Sequence, residues 1–282
     1  MIDRICILLL KRVSQPLNSM STRFDVIIPY HEKDEEIIPY CIDGLQKNVT
    51  GFRRIYVISA TKPDIDDSEK VTWVPEESFP FSIKDVGTYI KSTNHREGWY
   101  YQQLLKLYAH QVIPGLLPHH LIVDSDTVFV QPVKFFEQEK ILFDCSGLYV
   151  PSYIEHMRAI LPEEFSDTNE LGGVTDCMMF REDILRDLFH RVETRHEMPM
   201  WKVLLSKVDP ELYDKSGMSE YEMYFQFALS QHPGIYEVRK LRKSYGVHLN
   251  ELRRTDVDII SFHAWFRDWQ TGRDLKAPDK SQ

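Results

Sequence analysis

The sequence has little cysteine, no excess of basic charge and no long hydrophobic run, and each shortage excludes a class of protein. Its 282 residues include four cysteines without a Cys-x-x-Cys pair, which favours reduced thiols over a disulfide framework or a zinc site. The net charge of -9 argues against a general binder of nucleic acids or of anionic membranes. The apolar run at residues 5–10 is too short for a membrane span or a usual signal segment. We therefore expect a cytoplasmic protein.

The hydrophobic content of 43% with regular punctuation predicts an ordinary globular core. Short apolar runs alternate with segments of helical spacing in the first half of the chain, and the pattern is more mixed in the second half. The predicted strands are 24–31, 54–59, 71–75, 119–123, 143–150, 174–180 and 257–263. The predicted helices are 34–47, 99–112, 181–193 and 219–230.

This alternation predicts an α/β fold with a mostly parallel central sheet flanked by helices. No repeat, low-complexity tract or Gly/Ser linker divides the chain, so a single domain is the simplest organisation. We expect residues 1–20 to form a loosely ordered extension, residues 21–270 the domain, and residues 271–282 a polar tail.

The pattern Asp-x-Asp occurs three times, and its context separates the copies. Residues 64–66 follow Lys-Pro and indicate a solvated loop, whereas residues 256–258 precede an apolar run. Only Asp124 and Asp126 lie between two apolar segments, where an unpaired charge would be costly. Aspartates at the carboxyl end of a buried strand project into the crevice where open α/β sheets bind ligands. Carboxylates suit Mg²⁺ or Mn²⁺ held together with substrate phosphates, so this pair predicts a metal that binds a diphosphate.

The order of these motifs resembles that of a GT-A-type glycosyltransferase: an early strand ending in a polar loop, an Asp-x-Asp after a middle strand, and a late histidine at a strand end. Residues 98–107 (GWYYQQLLKL) are also similar to a poorly characterised GT-A-like group from bacteria and large DNA viruses. The resemblance covers most of residues 23–270. It implies a Rossmann-like GT-A domain that moves a sugar from a nucleotide-diphosphate sugar, expected to be a UDP-sugar, to a glycan, protein or lipid-linked acceptor.

The resemblance also implies a set of ligands for Mn²⁺ or Mg²⁺. Asp124 and Asp126 would bind the cation directly or through water. In glycogenin-like, family-8 enzymes a late histidine completes the metal site, and His263 occupies the matching region of this chain. The chain lacks the Gly-x-x-Lys-Pro-Trp that follows in those enzymes, so His248 remains a competitor. Either histidine could instead be a packed, hydrogen-bonded imidazole.

Further residues would contact the nucleotide-sugar donor if the resemblance holds. GT-A proteins hold the nucleotide base at the end of the first strand, where Tyr30 could stack on it. Ser125 would face the ribose, and the Arg96 guanidinium suits phosphate and sugar oxygens. Helical geometry allows only one of Tyr100 and Tyr101 to face inward. The predicted donor contacts are Pro29, Tyr30, His31, Arg96, Gln103 and Ser125.

Three acids are candidates for the general base that an inverting transferase needs to deprotonate its acceptor, namely Asp176, Glu220 and Glu222. Asp176 interrupts an apolar strand just after Gly172–Gly173, where glycine permits a close backbone approach or unusual dihedrals. Glu222 also fits a capping box with Ser219, and Glu220 lies in a first helical turn that favours acids in any case. A retaining enzyme needs no such base, so the stereochemistry stays open.

Two other functions remain for the same residues. A sugar-phosphate nucleotidyltransferase also uses a strand-borne carboxylate and Mg²⁺, but it normally carries a glycine-rich loop after its first strand, and residues 29–34 contain no glycine. The chain could also be an inactive, carbohydrate-binding relative. The sugar, the nucleotide, the acceptor and the oligomeric state are left open by the sequence.

Overall fold

A computed structural model of the chain describes residues 23–65, 70–168, 170–264 and 267. The predicted extension 1–20 and tail 271–282 lie outside the described residues. The strands are β1 Phe24–Pro29, β2 Phe52–Ser59, β3 Val71–Pro75, β4 His119–Val123, β5 Thr127–Phe129, β6 Phe136–Glu137, β7 Lys140–Asp144, β8 Cys177–Arg181, β9 Tyr236–Arg239, β10 Lys243–Tyr245 and β11 Ile259–Ser261. The helices are α1 Ile38–Asn48, α2 Ile83–Tyr89, α3 Glu97–Val112, α4 Pro151–Ile160, α5 Glu182–His196, α6 Met200–Ser206 and α7 Glu220–Gln231.

The central sheet has five strands in the order β3-β2-β1-β4-β8. The first four are parallel to one another, and β8 runs antiparallel to β4 at the edge. All six residues of β1 are buried, as expected for a central strand whose two faces are covered. The predicted fold class, α/β with a mostly parallel central sheet flanked by helices, is confirmed.

Two smaller sheets extend this core, and they differ from the predicted pattern. One has the order β10-β11-β5 and the other β6-β7-β9. The strand predicted at 143–150 is wrong beyond Asp144, because the backbone leaves the extended region at Gly147, where φ is +68°. None of the helices within the described ranges is long and apolar enough to cross a membrane.

Helix boundaries follow local chemistry, whereas helix burial follows tertiary packing. Pro39 stands in the first turn of α1, where its missing N–H costs nothing, so the helix predicted at 34–47 begins at Ile38. Tyr100 and Tyr101 are both buried, and the prediction that only one of them faces inward is wrong. The reason is that α3 lies inside the core, in contact with β1, α2 and α7.

Candidate functional site

Antiparallel pairing of β4 with β8 places Asp176 beside Asp124. The register sets Val123, the last residue of β4, opposite Cys177. Asp124 follows directly and continues the pairing, since its N–H donates to the Asp176 carbonyl at 3.0 Å. Both aspartates therefore stand at the carboxyl end of β4, at the open edge of the central sheet, where α/β proteins bind ligands.

A second antiparallel pairing brings His263 to the same edge. In the ladder between β5 and β11, Ser261 lies opposite Thr127, and the Phe262 N–H donates to the Asp126 carbonyl at 2.8 Å. His263 then follows directly, with its Nδ1 at 3.1 Å from Asp126 Oδ2 and its Nε2 at 3.5 Å from Asp176 Oδ1. His263 thus bridges two carboxylates.

The charges around His263 determine its protonation. Burial lowers the pKa of His263, but the hydrogen bond that its ring donates to Asp126 and the negative charges of Asp126, Asp176 and Asp124 outweigh burial and raise the pKa to about 9. At neutral pH the ring is therefore an imidazolium, which balances part of the negative charge of this carboxylate cluster.

Lys106 reaches the site from α3 and is the buried cation of its other side. Its Nζ lies 2.5 Å from Asp124 Oδ1 and 2.6 Å from Glu220 Oε1, and it stands over the ring of Tyr221 at 4.2 Å. Burial lowers the pKa of Lys106, but the two carboxylates outweigh burial and raise it above the ordinary value. The pKa of Asp124 is raised to about 6 by burial and by Asp126 and Glu220, against the opposing effect of Lys106.

These side chains border a pocket of about 660 Å³, a volume within the range of small-molecule sites. Asp124, Asp176, Glu220 and His263 line it. Lys243 lines it as well, with its Nζ 2.5 Å from Asp144 and 3.4 Å from Asp176. The pocket therefore combines carboxylates, cations and an imidazole, a set of groups suited to phosphate and hydroxyl chemistry.

The two acids on α7 have different surroundings. Ser219 caps the helix by accepting a hydrogen bond from the Glu222 N–H, as half of the predicted capping box requires. The Glu222 carboxylate, however, accepts from the Gly173 N–H at 2.6 Å and from Gln226 at 2.7 Å, and it is buried there. Glu220 lines the pocket instead. Of the three predicted acids, Asp176 and Glu220 are the ones that face the pocket.

Most of the predicted donor contacts near the first strand and in the Asp-x-Asp motif are buried or hydrogen-bonded within the protein. Pro29 and Tyr30 are buried, and exposed His31 accepts a hydrogen bond from the Lys33 N–H. Ser125 is 1% exposed and donates to Asp34, which also pairs with Arg267 at 2.5 Å. Asp34 therefore anchors the turn between Asp124 and Asp126. Three side chains thus meet beside this turn: Asp34, Ser125 and Arg267.

The remaining predicted donor contacts are Arg96, directly before α3, and Gln103, within α3. Arg96 donates to the Lys215 carbonyl and to Ser216, and its guanidinium stands 4.2 Å from the ring centre of Trp99. Gln103 lines the pocket, and its Oε1 accepts from the Glu220 N–H at 3.0 Å. The competing histidine, His248, is exposed, and its N–H donates to Glu251.

The two glycines before Asp176 both have the close approach that the sequence predicts. Gly172 has φ of +63°, in the left-handed region that favours glycine. A Cβ on Gly173 would stand 2.3 Å from the Cβ of Phe225. The loop that leads into β8 therefore packs directly against α7 at Gly173.

We expect Gly173→Ala to lower the free energy of unfolding by about 1–3 kcal/mol, because the added methyl group overpacks a buried contact. Gly87→Ala is the matched control, since its added methyl meets nothing within 4 Å in α2, and we expect it to raise stability by about 0.5–1 kcal/mol. Urea denaturation of the two variants measures both effects. A Gly173→Ala protein as stable as the parent would contradict the close packing.

The metal predicted for Asp124, Asp126 and His263 has one specific observation in its favour. Asp126 Oδ1 is buried without a hydrogen-bond partner among the described residues, an unusual state that a bound cation would relieve. Within the same residues, however, no three His, Cys, Asp or Glu side chains are already arranged as a group that could hold a metal ion. Asp124 Oδ1 lies 2.5 Å from Lys106 Nζ and accepts a hydrogen bond from the Tyr221 hydroxyl at 3.2 Å.

The sequence analysis did not select Lys106, Lys243 or Asp34 as site residues. Lys106 had a signal, because it is the one lysine or acid in the stretch from 100 to 110, where all other side chains are apolar, aromatic or uncharged at neutral pH. A lone charge there predicts a buried partner. Asp34 and Lys243 carry no such signal, since both stand among other charged residues.

Comparisons with known proteins give a family model that matches the sequence and a solved structure that is similar to the chain. The model of a family described as "Family of unknown function (DUF6492)" matches residues 12–275. A crystal structure of mouse xyloside xylosyltransferase 1 in its apo form is similar at 11% sequence identity, with 85% of this chain and 97% of that chain covered and a TM-score of 0.43. No curated protein matches the sequence.

Proposed function

Since the chain belongs to the DUF6492 family of unknown function, we propose its activity from the site itself: a divalent-metal-dependent glycosyltransferase that moves a sugar from a nucleotide-diphosphate sugar to a saccharide or glycoconjugate acceptor. The observation that carries the proposal is the meeting of three carboxylates and an imidazole at the carboxyl end of β4, namely Asp124, Asp126, Asp176 and His263. Asp124, Asp176 and His263 also line the pocket, whose volume of about 660 Å³ is within the range of small-molecule sites. The GT-A resemblance of the motif order supports the same activity.

The donor atoms fit Mn²⁺ or Mg²⁺. Asp124, Asp126 and His263 would hold the ion, which when bound would neutralise the diphosphate leaving group. Asp126 Oδ1 is buried without a hydrogen-bond partner among the described residues, so a bound cation would supply the contact that this oxygen lacks. His263 would have to release its proton to serve as a ligand, so metal binding and protonation of this ring compete.

The chain's own residues would order the substrates. Lys106 holds the carboxylates of Asp124 and Glu220 in place, since its ammonium contacts each of them. Asp176, held between His263 and Lys243, faces the pocket where it can accept hydrogen bonds from sugar hydroxyls. Asp176 and Glu220 are also the two acids positioned to take a proton from an acceptor hydroxyl if the enzyme inverts.

A panel of nucleotide sugars tests the proposal. With Mn²⁺ present, we expect release of free nucleotide from one donor class, with UDP-sugars first, and loss of that release on adding EDTA. Pyrophosphate formed from a nucleoside triphosphate and a sugar phosphate would instead identify a nucleotidyltransferase. If no sugar nucleotide is bound or hydrolysed and Asp124→Ala leaves the affinity for Mn²⁺ unchanged, the transferase proposal is wrong.

A further inference from the structure

Large apolar side chains are exposed on segments of the chain that border the pocket. Among the described residues, six large hydrophobic side chains are strongly exposed. Four of them, with exposed fractions between 44% and 56%, belong to segments that line the pocket or are hydrogen-bonded to one that does. Leu148 and Tyr245 line the pocket itself. Isolated exposed hydrophobic residues are ordinary, whereas a cluster beside a pocket marks a binding surface. We name this group the apolar rim: Leu148, Tyr149, Leu171 and Tyr245.

The backbone presents the apolar rim in a defined shape. The Ser146 N–H donates to the Gly172 carbonyl at 3.1 Å, and the Gly147 N–H donates to the Leu171 carbonyl at 2.8 Å. A Cβ on Gly172 would stand 2.3 Å from the carbonyl oxygen of Leu148, so the two loops pack backbone against backbone. Exposure of these side chains is therefore built into two paired segments.

Tyr245 joins the apolar rim to the carboxylate cluster. It is the last residue of β10, and its ring lies 5.3 Å from the ring of His263 at an angle of 47°. The lining of the pocket thus has a polar part, with Asp176 and Glu220, and exposed apolar surface from Leu148 and Tyr245. A molecule complementary to both parts has hydroxyl groups at one end and hydrocarbon at the other.

Two of the four rim residues are leucines, which favour hydrocarbon, and the other two are tyrosines, whose rings also offer apolar surface. Leu148 and Leu171 carry no hydrogen-bonding groups, so they offer nothing to the hydroxyls of a longer glycan. The net charge of -9 provides no attraction to anionic headgroups, which favours a single amphiphile over the surface of a membrane.

We propose that the apolar rim binds the hydrocarbon chain of the acceptor, and hence that the acceptor is a lipid-linked saccharide. The identity of the sugar end as an acceptor rests on the proposed function. The affinity of the rim for hydrocarbon follows from the four exposed side chains alone.

Chain-length preference tests this inference. We expect octyl β-glucoside, kept below its critical micelle concentration, to bind about tenfold or more tightly than methyl β-glucoside in calorimetric titrations, because each methylene that leaves water adds affinity. The double substitution Leu148→Ser with Leu171→Ser should remove the preference. The matched control is Ile83→Ser with Met198→Ser, which removes the two exposed hydrophobic residues outside the rim and should leave the preference intact.

The outcomes separate this inference from the proposed function. Equal affinity for the two glucosides, or a preference that survives the rim substitutions, overturns the inference. Binding of UDP with Mn²⁺, measured on the same samples, reports on the proposed function. If UDP fails to bind while the rim substitutions abolish the octyl preference, the hydrocarbon site stands and the transferase proposal falls.

Discussion

Replacing Lys106 by methionine should lower the free energy of unfolding by about 3–5 kcal/mol, because it leaves the buried carboxylate of Glu220 and the partly buried carboxylate of Asp124 without their common cation. Asp124 Oδ1 and Glu220 Oε1 lie 2.5 and 2.6 Å from Lys106 Nζ, and the lysine side chain is 4% exposed. Methionine keeps nearly the same length and apolar stem, so the change isolates the charge. Urea denaturation followed by circular dichroism measures the loss.

Two variants control this experiment. Lys47→Met removes an exposed lysine that pairs with Asp43 one helical turn away, and it should change stability by no more than about 0.5 kcal/mol. Adding Glu220→Gln to Lys106→Met should restore part of the loss, since only one unpaired carboxylate then remains. A Lys106→Met protein that loses no more stability than Lys47→Met would show that Lys106 does not compensate these charges.

Replacing Asp126 by asparagine should reduce metal-dependent nucleotide release by about 100- to 1,000-fold, the usual cost of losing one group that stabilises charge in an active site. Asparagine preserves shape but removes the negative charge that Asp126 contributes next to His263. The affinity for Mn²⁺, titrated directly, should fall together with the activity. Unchanged affinity for Mn²⁺ would exclude Asp126 from the metal site.

The chain supplies its own controls for this second experiment. Asp256→Asn alters the same Asp-x-Asp pattern at the surface, where Asp256 pairs with Arg254, and it should leave both activity and metal affinity unchanged. His263→Ala should weaken Mn²⁺ binding, whereas His248→Ala should not, because His248 is exposed beside Glu251. Equal effects of the two histidine substitutions would remove His263 as the third ligand.

Much of the fold could be predicted from local pattern. The continuous apolar runs of β1, β2 and β4 predict buried strands, because a parallel strand inside an α/β sheet is covered on both faces. The spacing of α3 predicts its helix. The burial of both Tyr100 and Tyr101 could not be predicted, because it depends on the contacts of α3 with β1, α2 and α7.

The candidate site divides along the same line. Only the structure separates the two acids at the start of α7. The Glu222 carboxylate accepts a hydrogen bond from the Gly173 N–H, whereas Glu220 pairs with Lys106. Both acids lie in the first turn of the helix, where the helix dipole favours any acid, so their positions in the sequence do not tell which one faces the pocket. Ser125 similarly lies in the Asp-x-Asp motif, yet its hydroxyl donates to Asp34.

The sequence by itself determined that Asp124 and Asp126 end a buried strand, because a polar break between two apolar runs is a local property of the chain. Only the tertiary structure decided which groups meet them. Antiparallel pairing with β8 carries Asp176 to Asp124, and pairing of β11 with β5 carries His263 to Asp126. Strand order and register depend on long-range packing rather than on neighbours in sequence, which is why the partners of the Asp-x-Asp pair emerge only in the folded protein.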